Sequence, residues 1–209
     1  MSVLTPQHVA QAFGTPVSTY LWPDSEQMNA ELHKGLLALE ASDEGIHHSN
    51  IGGWHSKTDL LSHTEIDGIP TLSERIVSMV GDMARFHARE DVTKEFKMRV
   101  DCWANISRSG NYANIHDHGG AVWSGVYYVS SGQPRTDDPA NGKLELIDPR
   151  TGIAMVGAEY GTRSGRFLVD PMPGLMIVFP SWLKHMVHPF VGTGERISIA
   201  FNVNIIPAR

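Results

Sequence analysis

At about Phe96 the apolar period of this 209-residue chain changes from roughly 3.6 residues to roughly two, and that switch limits the folds open to it. Before the switch, Pro23 and Asp24 open a stretch in which Met28, Leu32, Leu36 and Leu39 recur at helical spacing. A second helix is expected just after Pro70. Its apolar stripe is Leu72, Ile76, Met79, Val80, Met83 and Phe86, with Glu74, Arg75, Asp82 and Arg85 facing away. Between the two, Ser49-Asn50-Ile51-Gly52-Gly53-Trp54-His55-Ser56 is too rich in glycine and polar groups to be the interior of an element. After the switch, Met98, Val100, Cys102, Ala104 and Ile106 alternate with Arg99, Asp101, Trp103 and Asn105, which is a strand with two unlike faces. Further strands are expected at 122–129, 143–147, 166–169, 175–179 and 196–205. Turn signals at Ser131-Gly132, Asn141-Gly142, Asp148-Pro149 and Pro173-Gly174 separate them.

Helices followed by many short strands predict an α+β domain in which the helices buttress one side of a sandwich or barrel. We expect one domain over 1–209, with 1–92 as helical support and 93–209 as the β core. Periodicity does not choose among sandwich topologies. A hydrophobic content of 41% and a charged content of 19% suit an ordinary globular core. The net charge of −6 weighs against a nucleic-acid partner, which would call for a basic face. A single cysteine, Cys102, excludes an internal disulfide framework; alternating with core residues, it reads as an inert small hydrophobe. The opening MSVLTPQHVAQAFGTP lacks the basic and apolar regions of a signal peptide. No apolar run approaches the roughly 20 residues of a membrane span. The expectation is a cytoplasmic protein with no membrane partner. The sequence is compatible with a homo-oligomer.

The last strand carries the most information. Ile197, Ile199, Phe201, Val203 and Ile205 form one face, and Arg196, Ser198, Ala200, Asn202 and Asn204 form the other. Either the polar face lies in water, or it lines a ligand-filled barrel whose outer wall packs under the helices. A histidine constellation favours the second reading. In an extended segment, His116 and His118 of Tyr112-Ala113-Asn114-Ile115-His116-Asp117-His118 point to one side while Asp117 points to the other. His185 follows the apolar run ending at Phe179 and can join them in a closed sheet. Three convergent ligands leave the opposite face of a metal open for chemistry. Arg196 lies one hairpin beyond His185, across the expected Val191-Gly192-Thr193-Gly194 turn, with Ser198 at i+2. A guanidinium and a hydroxyl on one strand face make a carboxylate clamp, and metal ligands beside such a clamp are what a chelating dicarboxylate requires.

The strings His116-Asp117-His118…Ser124-Gly125-Val126-Tyr127-Tyr128-Val129 and Pro180-Ser181-Trp182-Leu183-Lys184-His185…Glu195-Arg196-Ile197-Ser198 resemble the 2-oxoglutarate/iron(II) oxygenase family of bacteria and phages. Ser49-Asn50…Gly53-Trp54-His55-Ser56 and Gly142-Lys143-Leu144…Asp148-Pro149-Arg150 are similar to it as well. The resemblance implies a double-stranded β-helix, or jelly-roll, core. It implies Fe(II) and 2-oxoglutarate as cofactors, and oxidative decarboxylation to succinate and CO2 coupled to hydroxylation of an unactivated C–H bond.

One position departs from the superfamily pattern of His-x-Asp or His-x-Glu, because His118 stands where the carboxylate would be. A three-histidine site of His116, His118 and His185 is the first reading. In a second, Asp117 swings in through a local bulge; in a third, metal binding is weak or lost. On the oxygenase reading Arg196 and Ser198 hold the far carboxylate of 2-oxoglutarate. Asn105, Asn114, Tyr128 and Asn202 are candidates for completing its pocket, each also explicable as a structural hydrogen-bonding residue. His188 is the rival distal ligand. His47, His48, His63 and His87 read as surface, and His55 as turn-forming rather than at the barrel mouth. The run Thr136-Asp137-Asp138-Pro139 reads as a solvated loop, and there is no phosphate-binding glycine loop, nucleophile elbow or zinc cysteine cluster. Two other functions compete: a three-histidine cupin-type dioxygenase or isomerase without an oxoacid, and a non-catalytic jelly-roll binding module. The substrate could be a small metabolite, a peptide side chain or a modified nucleoside.

Overall fold

The computed structural model describes residues 14–87, 96–150 and 166–207. Two helices, α1 (Glu26–Ser42) and α2 (Ile69–His87), precede most of the β structure, with a 3-10 turn at Leu60–Ser62 between them. The strands are β1 (Ser18–Leu21), β2 (Asn50–Ile51), β3 (Trp54–His55), β4 (Phe96–Ser107), β5 (Tyr112–His116), β6 (Trp123–Pro134), β7 (Leu144–Ile147), β8 (Arg166–Val169), β9 (Leu175–Pro180), β10 (His185–Val187) and β11 (Gly192–Pro207). They form a six-stranded sheet, β1-β9-β6-β11-β4-β3, and a five-stranded sheet, β2-β5-β10-β7-β8. The strand pairings among the described residues are antiparallel, and the two sheets make the jelly roll that the family resemblance implied.

Strand parity decides what each face of the larger sheet meets. Cys102, Ala104, Ile106, Tyr127, Met176, Val178, Ile197, Ile199, Phe201 and Val203 point outward and share one core with Leu32, Leu36, Leu72, Ile76 and Val80 of the helices. Residues of opposite parity, Ile177, Leu175, Phe179 and Tyr128, face inward and pack with Leu144, Leu146 and Val169 of the smaller sheet. The second core leaves one end of the barrel for polar side chains, and the site lies there.

Four local expectations need correcting. The N-terminal region is not purely helical, since β1 to β3 fall within it and extend both sheets. They are two to four residues long, too short for a period to register. Arg75 does not face away: it is buried, with Nη2 2.9 Å from Asp24 Oδ1 and its guanidinium 4.5 Å above the Trp22 ring. An arginine can sit beside an apolar stripe when a carboxylate takes its charge and an aromatic face covers its plane. Phe86 continues the α2 stripe by spacing, yet stands 80% exposed in the last turn. Third, Ser131-Gly132 and Gly192-Thr193-Gly194 are not turns but parts of β6 and β11. Gly132 and Gly194 have positive φ, and the register shifts between Thr193 and Arg196. These glycines absorb irregularities inside a long strand pair rather than reversing the chain. Finally, β10 and β11 belong to different sheets, so His185 and Arg196 are joined by a sheet-to-sheet crossing, not a hairpin.

Gly125 marks a close approach at the centre of the larger sheet. It pairs with Phe201 and Val178, and a Cβ there would lie 2.3 Å from Phe201 Cζ and 2.6 Å from the Ile177 carbonyl oxygen. Gly125→Ala is expected to destabilise the fold by about 1–3 kcal/mol through overpacking. A denaturant midpoint unchanged from the parent would show that Phe201 can move aside.

Candidate metal centre and co-substrate pocket

His116 ends β5 and His185 begins β10, and the two are direct partners across that antiparallel pair. His118 follows two residues later, in a loop held against the segment after β9. Its backbone N–H donates to Ser181 O at 2.9 Å, and the Ser181 hydroxyl donates to Ala121 O. The three rings converge, with centroids 4.3 Å apart for His116–His185, 5.0 Å for His116–His118 and 5.1 Å for His118–His185. One nitrogen from each ring lies within 4.8 Å of the other two. Asp117 is outside this cluster, as the parity argument required.

Hydrogen bonds set the tautomers. His116 Nδ1 donates to Asn114 O at 2.7 Å and His185 Nδ1 to Leu183 O at 2.9 Å, which leaves each Nε2 unprotonated. The Ser49 hydroxyl donates to His116 Nε2 at 3.4 Å. Burial disfavours the imidazolium forms, helped by the neighbouring rings, and pushes His185 down to about 3 and His118 down to about 4. His116 is lowered by burial too. Three neutral, convergent nitrogen donors suit a divalent metal of the borderline class.

A narrow inner cavity of about 70 Å³ runs from these histidines to Arg196, past Asn105, Tyr128 and Ser198. Arg196 is 2% exposed and has no carboxylate partner among the described residues. Its Nε donates to Gly142 O at 2.8 Å and its Nη1 to Ser198 Oγ at 3.3 Å, so the Ser198 proton remains available to an anion. Burial lowers the Arg196 guanidinium pKa, and the Tyr128 ring lies 5.4 Å from its carbon. The Tyr128 hydroxyl is buried beside it without a well-formed hydrogen bond among the described residues. Burial pushes that phenol up to about 12 although the guanidinium favours its ionised form, so it stays a donor. A buried cation without a carboxylate, a free hydroxyl proton and an unsatisfied phenol form a polar cradle for a carboxylate.

The remaining candidates divide. Asn105 lines the inner cavity, paired with Ser198 across β4 and β11. Asn202 does not; its Oδ1 accepts from Ser124 Oγ at 2.7 Å, and it lines a second, outer cleft. Asn114 is exposed and lines neither cavity; it contributes its backbone carbonyl to His116. His188 is not a rival ligand, because its Nε2 lies 2.7 Å from Glu145 Oε2, the carboxylate that Arg166 also grips through two bonds.

The outer cleft, about 740 Å³, opens on the other side of His116 and His118, and includes His47, His48, His55, Asp101, Trp103 and Asp117. His55 is therefore at the barrel mouth, contrary to its reading as a turn former. It is buried, stacked on Trp103 at 5.6 Å and 10°. Trp103 and Asp101 went unassigned in sequence although both share the inward parity of Asn105 on β4; that parity was the available signal.

Residues 101–202 match a family described as "Putative 2OG-Fe(II) oxygenase". No curated protein matches the sequence. In fold the chain is similar to a prolyl-4-hydroxylase of Pseudomonas putida, with 15% identity, 92% of each chain covered and a TM-score of 0.61. It is similar to HygX from Streptomyces hygroscopicus, solved with nickel and 2-oxoglutarate, with 11% identity, 91% of this chain and 83% of that one covered, and a TM-score of 0.59. The alpha ketoglutarate dependent carbocyclase SnoK from nogalamycin biosynthesis gives a TM-score of 0.64 at 11% identity, covering 93% of this chain and 80% of that one. At these identities the likeness is one of fold; the family match spans residues 101–202, just under half of the chain, and over that segment, which holds the histidine cluster and Arg196, the chain resembles the 2OG-Fe(II) oxygenases.

Proposed function

We propose that the protein is a 2-oxoglutarate-dependent hydroxylase in which His116, His118 and His185 hold Fe(II) and Arg196 with Ser198 holds the far carboxylate of the co-substrate. The single observation that carries this reading is the fully buried Arg196, which faces the histidine cluster with no protein carboxylate among the described residues. A cupin-type enzyme without an oxoacid has no use for that cation, and a binding module has no use for three convergent imidazoles.

Bound iron and 2-oxoglutarate together supply oxidative decarboxylation to succinate and CO2 and insertion of oxygen into a C–H bond. The chain supplies position. Asn114 O and Leu183 O keep Nε2 of His116 and His185 unprotonated and aimed inward. Ser198 accepts from Arg196 and turns its own proton to the ligand, while Tyr128 adds a neutral donor. Phe179, Val126 and Leu144 supply apolar wall to the cavity. His118 in place of a carboxylate leaves the metal site one negative charge poorer. That strengthens its pull on a dianionic co-substrate and loosens the protein's own hold on the ion.

The deciding experiment is an anaerobic titration of the iron(II)-loaded protein with 2-oxoglutarate, following the weak visible charge-transfer band of the chelate and then succinate after air is admitted. Iron binding without the band would favour the cupin-type reading, and absence of iron binding would withdraw the catalytic one. His185→Ala is expected to lose iron, measured as metal retained after desalting; parent-like iron content would remove it from the ligand set. Arg196→Ala is expected to keep iron but weaken 2-oxoglutarate by roughly 2–5 kcal/mol, the range for truncating one partner of a desolvated ion pair. An unchanged Kd in that variant would place the carboxylate elsewhere.

A further inference from the structure

The inward face of the larger sheet is polarised along its strands. Arg196 stands at one end of β11, and Asp101, paired with Asn202, stands toward the other. The histidine cluster lies between a cationic inner cavity and the outer cleft, whose lining carries two carboxylates, Asp101 and Asp117, and neither lysine nor arginine among the described residues. Neither carboxylate makes a hydrogen bond or an ion pair among the described residues. Acidic side chains at a surface are commonly left so, and alone they would mean nothing.

His55 supplies the independent observation. It is 5% exposed, and its Nδ1 lies 2.6 Å from the Ser56 carbonyl, which fixes the proton on that nitrogen. Nε2 is then a bare acceptor with no hydrogen-bond partner among the described residues, on a ring that lines the cleft. The ring is held in place: β3 pairs with β4, the Ser56 N–H donates to Ala104 O, and the Ala104 N–H donates to Ser56 Oγ at 2.9 Å. A fixed acceptor on a buried ring, open only to the cleft, can take a donor from outside the protein. Trp103, 8% exposed, stacked on His55 and edge-on to His118, adds an aromatic edge to the lining of the same cleft, and the negative π density of its ring favours a cation over an anion.

We propose that the outer cleft selects a substrate by a protonated nitrogen, an amine or a guanidine, which donates to Asp101, Asp117 and His55 Nε2 over Trp103. Its neighbouring carbon is thereby presented to the metal side of His116 and His118. The proposal rests on the hydroxylase reading above for its chemistry, but not for its binding. An anionic substrate would meet two unpaired carboxylates and an acceptor nitrogen, and a neutral apolar one would leave all three unsatisfied.

The test is calorimetric titration of the anaerobic Fe(II)- and 2-oxoglutarate-loaded protein with 1,5-pentanediamine and agmatine, against 1,5-pentanediol as the uncharged match. Both cations should bind at least tenfold more tightly than the diol, and more weakly as salt is raised. The double variant Asp101→Asn/Asp117→Asn should lose at least tenfold in diamine affinity while its 2-oxoglutarate affinity stays at the parent value, which also reports that it has folded. Asp137→Asn/Asp138→Asn changes net charge equally at a distant exposed loop and should leave diamine binding alone. Equal binding of diol and diamine, no binding of either cation by protein that forms the chelate, or the same loss in both double variants would each overturn the proposal. A protein that forms no chelate yet holds the diamine in the Asp101- and Asp117-dependent way would instead overturn the co-substrate reading and support the specificity of the cleft.

Discussion

Neighbouring residues of a strand must face opposite ways, and β11 obeys that constraint with unlike environments on its two sides. Ile197, Ile199, Phe201 and Val203 complete the core under the helices, while Arg196 and Ser198 are turned into the barrel. The apolar residues fix the register, and the register then places the guanidinium. A one-residue slip would turn Ser198 into the helix–sheet core and these four apolar side chains toward a polar cavity. The stability of the helix–sheet core and the position of the co-substrate pocket are therefore one problem, solved by the same strand.

The electrostatics follow from burial more than from pairing. Three imidazoles packed together resist protonation, and a guanidinium without a counter-carboxylate remains charged at a cost that a bound dianion would offset. Glu145 shows the opposite solution on the outer face of the smaller sheet. Its carboxylate is held below the usual range first by Arg166 and then helped by His188. The fold thus satisfies its charges internally where they are structural and leaves them open around the cavities.

Period and parity made much of this legible. Strands β4 and β11 and both helices lie close to where spacing puts them, because each has a continuous apolar face, and β9 was legible as a short apolar run buried on both sides. The convergence of His116 with His118 and the pairing of Arg196 with Ser198 needed only alternation. What parity could not reach was context. β2 and β3 are two-residue strands that exist because their partners β5 and β4 offer free edges, and nothing local announces them. Arg75 is buried by Trp22 and Asp24, residues some fifty positions away in sequence. Gly194 lies inside a strand whose irregularity is imposed by β6. His188 needed Glu145 opposite it before its role could be read, and Asn114 turned out to serve through its carbonyl rather than its side chain.

The crossing from β10 to β11 has a geometric meaning of its own. His185 and Arg196 are close in sequence but stand on facing sheets, whose separation is fixed by interdigitated side chains at about 10 Å rather than by a flexible connection. On the proposed assignment, the span between the metal end and the guanidinium end of the cavity is a rigid gauge. On that assignment a diacid of another length would match such a gauge less well. Chain length of the oxoacid would then be read by the spacing of two sheets, a quantity that no loop insertion between β10 and β11 would change.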